Sequence, residues 1–220
     1  MTETFFKILL FLHISGGSIG LMCGILVFIL RKGDRRHHTL GKVFIFGMML
    51  AGFTSLAMAI LHPNTFLFLV GIFTIYLVGT GARIISTKST LSNHPIDRML
   101  QIGMLLSGSI LIYLGAKGLI EGNYFGIVYV VFASIGLVMA IQDIRTASKT
   151  PSDNKAYIRK HLQRLGGGFI ASATAFLVVN LTALPEWFPV WLLWILPTIL
   201  ITPLIVFWSK KYKPAKLIST

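Results

Sequence analysis

Residues 5 to 30 read FFKILLFLHISGGSIGLMCGILVFIL, an apolar run whose only charge, Lys7, stands near its start. The hydrocarbon core of a bilayer is about 30 Å thick, and a helix of about 20 apolar residues crosses it. This stretch therefore predicts a membrane-spanning helix. A secretory signal has a basic start and an apolar stretch of about 7–15 residues. The opening MTETFF is acidic and the run is longer than that, so it reads as a first helix retained in the mature protein.

Outward from this stretch the pattern repeats. Further apolar windows cover about 40–61, 66–85, 99–116, 124–144, 165–184 and 187–208. None alternates as a barrel strand would, and an open strand would leave peptide groups unpaired in lipid. Residues 1–220 thus read as a single transmembrane domain, an all-α integral membrane bundle of seven helices. The composition agrees: 55% of residues are hydrophobic and 12% charged, with a mean hydropathy of +0.78. The lone cysteine, Cys23, excludes an intramolecular disulfide and a cysteine-cluster metal site.

The net charge of +13 lies between the spans. Eighteen of the twenty basic residues fall in the first, third and fifth connections and the C-terminal tail, leaving Lys7 and Lys117 for the other side. The positive-inside rule makes the basic side cytoplasmic, with the N-terminus outside and the C-terminus in the cytoplasm. Charge so placed belongs with a lipid bilayer partner and not with nucleic acid, whose readers need a soluble helix or sheet. The expected location is a cell membrane, spanned several times, such as a bacterial inner membrane.

Within the first span Gly16, Gly20 and Gly24 recur every fourth residue. Small residues let helices approach closely in lipid, so this is a helix-packing face, and Gly167 opens a similar one in the sixth span. His13 shares the first stripe within about 60° of arc at 3.6 residues per turn, and so points into the protein. An intramembrane ionisable residue is costly and marks a functional candidate. Asn180 and His62 stand near the outer ends of their spans, and with His13 form a candidate intramembrane polar site. The plainer reading of His13 is a neutral imidazole donating to a carbonyl or hydroxyl of a neighbouring helix.

A second cluster gathers at the basic side: His37, His38, Arg83, Arg98, Asp143, His161 and Arg164, with Asp97. Ion pairs of Asp97 and Asp143 with arginines would tie loops to the bundle. The alternative is a pocket for anions or anionic lipid headgroups. There is also an echo: Leu40-Gly41-x-x-Phe44-Ile45 opens the second span and Leu165-Gly166-x-x-Phe169-Ile170 the sixth, which would fit a parallel repeat of spans one to three in spans five to seven.

Named chemistries find few supports. There is no P-loop and no H-E-x-x-H. No lysine precedes Lys210 in the last span, which removes a retinal site. A bis-histidine haem needs two histidines at one depth on different helices. One haem b, on His13 with His62 or on His38 with His161, is the cofactor these residues leave open, and His38 with His161 is the only metal pair left to tertiary proximity.

The elements Leu12-His13-Ile14-Ser15-Gly16-Gly17 and Arg35-Arg36-His37-His38-Thr39-Leu40-Gly41-Lys42-Val43-Phe44 resemble those of an uncharacterised bacterial family of predicted polytopic membrane proteins, a domain of unknown function. Its members have a histidine then glycines in the first helix, and a basic H-x-x-L-G-[RK]-x-[YF] element at the next inner boundary. The resemblance covers about the first third of the chain and maps onto His13, Gly17, Leu40, Gly41, Lys42, Phe44 and His37 or His38, the spacing favouring His37. Lys160-His161-Leu162-Gln163-Arg164 would loosely fill a second basic histidine element. The family implies no activity.

Three functions remain. The chain is a non-enzymatic protein moving or sensing a small molecule, ion or proton around His13. It is alternatively a haem-binding electron-transfer protein, or an assembly partner with a basic cytoplasmic face.

Overall fold

Hydrocarbon offers a peptide group no water, so each span must close its hydrogen bonds within itself. The chain does this in seven helices: α1 Thr2–Ile29, α2 Arg35–Leu61, α3 Thr65–Thr87, α4 Pro95–Ile120, α5 Gly126–Thr146, α6 Ala156–Val179 and α7 Val190–Lys211. All seven are long and apolar enough to cross a membrane. The computed structural model describes residues 2–89, 94–147, 153–181, 185, 187 and 189–212, and no strand occurs among them. The end of the sixth expected span at 182–184, with Lys149, Glu186, Lys213 and Lys216, lies outside the described residues.

Helix starts follow local chemistry. Asp34 caps α2, its carboxylate accepting from the His37 amide at 2.7 Å, and Asn64 caps α3 by accepting from the Leu67 amide. His94 caps α4 ahead of Pro95, whose missing N–H costs nothing at a first helical position. Such caps carry α2 and α4 several residues past their apolar windows. The largest difference is in α6, which starts at Ala156 and not near Leu165. The basic turn before Leu165 stays helical because two of its charged arms are held by the protein.

α3 is the central helix. It lies against α2, α4 and α6 and touches α5, whereas α1 packs on α2 and α7 on α6. Its Tyr76, Leu77, Val78 and Ile84 are at most 1% exposed. The α1 glycine stripe does pack, and its partner is α2. Gly16 and Gly20 face Gly47 and Met48, so closely that a Cβ on Gly47 would stand 2.5 Å from the Gly16 carbonyl oxygen. α4 and α5 cross in the same way at Gly115 and Gly126. Gly24 instead receives the Phe169 ring of α6.

α6 packs chiefly on α3 and α7, and touches α1 more lightly. Gly168 lies against Val78, Gly166 against Ile205, and Gly167 is in ordinary contact with Leu77. The two echoed elements do meet, since Phe44 and Phe169 share one apolar cluster with ring centroids 6.4 Å apart. Their glycines differ: Gly41 has open space where Gly166 meets Ile205.

Candidate functional site

The basic ends of α3, α5 and α6 build the densest polar contact in the protein. Asp143, in the last turns of α5, is completely buried. Lys160 and Arg164 lie four residues apart on α6 and so share a face. Arg164 donates to Asp143 at 2.7 Å and Lys160 at 3.2 Å, with side chains only 3% and 20% exposed. α3 adds the Tyr76 hydroxyl, donating to the other carboxylate oxygen at 2.6 Å, and the Tyr76 ring also carries the Arg164 guanidinium 5.5 Å from its centroid. Arg164 further donates to the Met139 carbonyl, and Lys160 to the Thr146 hydroxyl.

One carboxylate here meets two cationic side chains, so the cluster has one positive charge more than it balances. The Arg164 Nε–H is buried with no protein partner. A buried donor left unpaired costs about 1–3 kcal/mol, and more beside a charge. Both features favour a further acceptor carrying negative charge. α5 and α6 do not pack backbone to backbone; long side chains join them.

Around this centre lie further polar ties. Arg83 of α3 pairs with Asp97 of α4, whose side chain is 2% exposed. The expected pairing of Asp97 and Asp143 with arginines is therefore present, the partner of Asp143 being Arg164 and not Arg145, which stands two residues from it in sequence and is exposed. His161 donates through Nδ1 to the Gly81 carbonyl at 2.9 Å. His37 and His38 have ring centroids 6.0 Å apart, and His37 is within electrostatic reach of His161 and Lys32, its own Nδ1 buried without a partner. No group of three or more His, Cys, Asp or Glu able to hold a metal occurs among the described residues. Lys32 closes α1, donating to the Val27 and Phe28 carbonyls, and burial lowers its pKa below the usual lysine value. Arg98 is exposed on α4.

The three residues expected to form an intramembrane polar site are not brought together. His13 is half-buried, and its Nδ1 donates to the Ala51 carbonyl of α2 at 2.9 Å, with the Thr54 hydroxyl at 3.4 Å. The imidazole thus ties α1 to α2. His62 stands at the far end beside Glu3, at 3.6 Å, and the Phe6 ring. Asn180 caps α6, is exposed and donates to the Phe176 carbonyl of its own helix. It cannot serve His13 while α1 leans on α2. Gly16-Gly17-Ser18-Ile19-Gly20 also spells G-x-S-x-G, but Ser18 is exposed in mid-helix, far from the strand-to-helix turn a nucleophile elbow requires.

Sequence reading missed Tyr76, Gly81 and Gly47, and took Lys160 only as part of a basic element and not as a partner of Asp143. Lys160 had a signal, since it stands one turn before Arg164 in a helix whose other face is apolar. Tyr76 had none, being 67 residues from Asp143. In comparison with known proteins the chain matches no family model, no curated protein and no solved structure.

Proposed function

We propose that this multi-pass membrane protein moves or senses a small anion at the Asp143, Lys160 and Arg164 cluster. The N-terminus lies outside and the cluster at the cytoplasmic face of a bacterial inner membrane. The orientation rests on the basic connections, and the bacterial membrane on the family resemblance. The observation that carries the function is the unbalanced cation: two cationic arms on one buried carboxylate, one with a free Nε–H. The reading keeps the solute-handling role expected from the sequence, moves it from His13 to the charged cluster, and gives the solute a sign.

The test uses the whole protein in liposomes, with inorganic phosphate, chloride and succinate as probes. One of them should be taken up, or should raise the melting temperature, and Arg164→Gln should lose the response by at least tenfold while His13→Ala keeps it. An unresponsive wild type overturns the reading, as does a response lost in His13→Ala and kept in Arg164→Gln.

A second reading, a haem protein, is favoured by one observation. His161 uses Nδ1 on the Gly81 carbonyl, the arrangement that commonly orients a metal-ligating histidine through its other nitrogen. Its partner would be His38 across the basic end. A Soret band in protein purified from haem-replete cells, lost in His161→Ala, is the expected sign; colourless protein rejects it.

A further inference from the structure

Where α1 ends and α2 begins, the surface of the bundle carries a groove of about 410 Å³ lined by Leu26, Leu30, Arg35, Arg36, Thr39 and Leu40. One end is apolar and the other cationic. Leu26 is 45% exposed and the neighbouring Ile29 77%, so the groove opens on the side that faces lipid. Thr39 and Leu40 lie one turn beyond Arg35 and Arg36, so Arg35 stands over Thr39 and Arg36 over Leu40 where α2 lines the groove.

The charges near the groove are not balanced within the protein. Five basic residues between positions 31 and 42 accompany one acid, Asp34. Asp34 is turned to the start of its own helix, accepting from the His37 amide. Lys32 is turned the other way, onto the last carbonyls of α1 and over the Phe28 and Trp208 rings. Arg35 and Arg36 are exposed, and neither is ion-paired among the described residues.

We propose that this groove selects an anionic phospholipid, with its phosphate between Arg35 and Arg36 and an acyl chain on Leu26, Leu30 and Leu40. Charge complementarity sets the occupant. A zwitterionic lipid would fill the apolar end equally well, but its own ammonium offsets its phosphate. Basic residues at a membrane surface attract anionic lipid individually and additively, so two arginines give a preference on the order of tenfold at moderate salt. A second groove, of about 680 Å³, is lined by Arg98 and by Pro95, Met99, Ile102, Gly103 and Leu106, all of α4. With one arginine it provides the comparison of weaker selectivity.

The experiment is native mass spectrometry of the full chain, delipidated in detergent and titrated with phosphatidylglycerol or phosphatidylcholine. Wild type should bind the first about ten times more tightly, and R35Q/R36Q should lose most of that ratio. R98Q should change it less. An unchanged ratio in R35Q/R36Q overturns the proposal. So does displacement of phosphatidylglycerol by equimolar glycerol 3-phosphate, which would show a site for soluble phosphate. Both arginines are exposed and Arg31, Lys32 and Lys42 still hold the basic side, so the single variants R35Q and R36Q serve if the double variant fails to insert; each should remove part of the preference.

Discussion

α1 meets α2 through bare backbone, and α5 meets α6 through charge. At the first contact Gly16 and Gly47 bring two helices together with nothing between them; at the second Asp143 holds Lys160 and Arg164 across a side chain's length. The glycines of such a crossing have no polar side chain to leave unsatisfied, so they contribute through shape. The charged crossing desolvates three ionised groups, and its value depends on every partner being present. It also keeps α5 and α6 apart at the end where Tyr76 of α3 stands between them. The first contact is suited to staying closed, and the second to exchanging partners.

Breaking the charged contact should have the largest effect. Asp143→Asn leaves Arg164 and Lys160 buried against each other, and removing one member of a buried pair costs about 3–5 kcal/mol. Thermal unfolding in detergent, followed by tryptophan fluorescence, should show a large drop in melting temperature. Adding Arg164→Gln should recover a good part of it, because the double variant no longer has an uncompensated guanidinium. Additive losses would mean that Asp143 and Arg164 are not coupled.

The glycine contact should break at one position and not at its neighbour. Gly47→Ala sets a methyl 2.5 Å from the Gly16 carbonyl oxygen and 3.1 Å from the Gly20 amide nitrogen. Neither is a flexible side-chain end, so the helices must part, at about 1–3 kcal/mol for overpacking. Gly17→Ala would meet only the Ala51 Cβ at 3.9 Å, and alanine's better helix propensity makes it neutral or slightly stabilising. Equal effects of the two would refute the close crossing.

These two contacts were unequally legible in the sequence. The Gly16, Gly20 and Gly24 stripe is periodic and could be read directly. Its partner Gly47 could not, because the three α2 glycines, Gly41, Gly47 and Gly52, stand six and five residues apart and share no helical period to mark one of them. The seven spans followed from apolar length alone. The charged site is visible in the sequence only as a crowd of residues at helix ends, Asp143, Arg164 and His161 among them, and the arginine nearer to Asp143 along the chain, Arg145, is exposed. Which arginine reaches a buried carboxylate is decided by how α3 separates α5 from α6, and nothing local encodes that. The start of α6 was misplaced for the same reason, since Lys160 reads as loop charge until its buried partner is known.

His13 is where the glycine contact borrows the chemistry of the other. It lies within that seam, and its imidazole reaches the Ala51 carbonyl across the crossing. A single interhelical hydrogen bond in a membrane is worth about 0.6 kcal/mol on average, so His13→Ala should lower stability by roughly that amount, the smallest of these effects. Ala51 would keep its helical bond from Ser55 or the Thr54 hydroxyl at 3.1 Å, so no buried carbonyl is stranded. If His13→Ala instead costs little stability but abolishes anion movement in liposomes, His13 is a working group, and the division between a seam for shape and a site for charge fails.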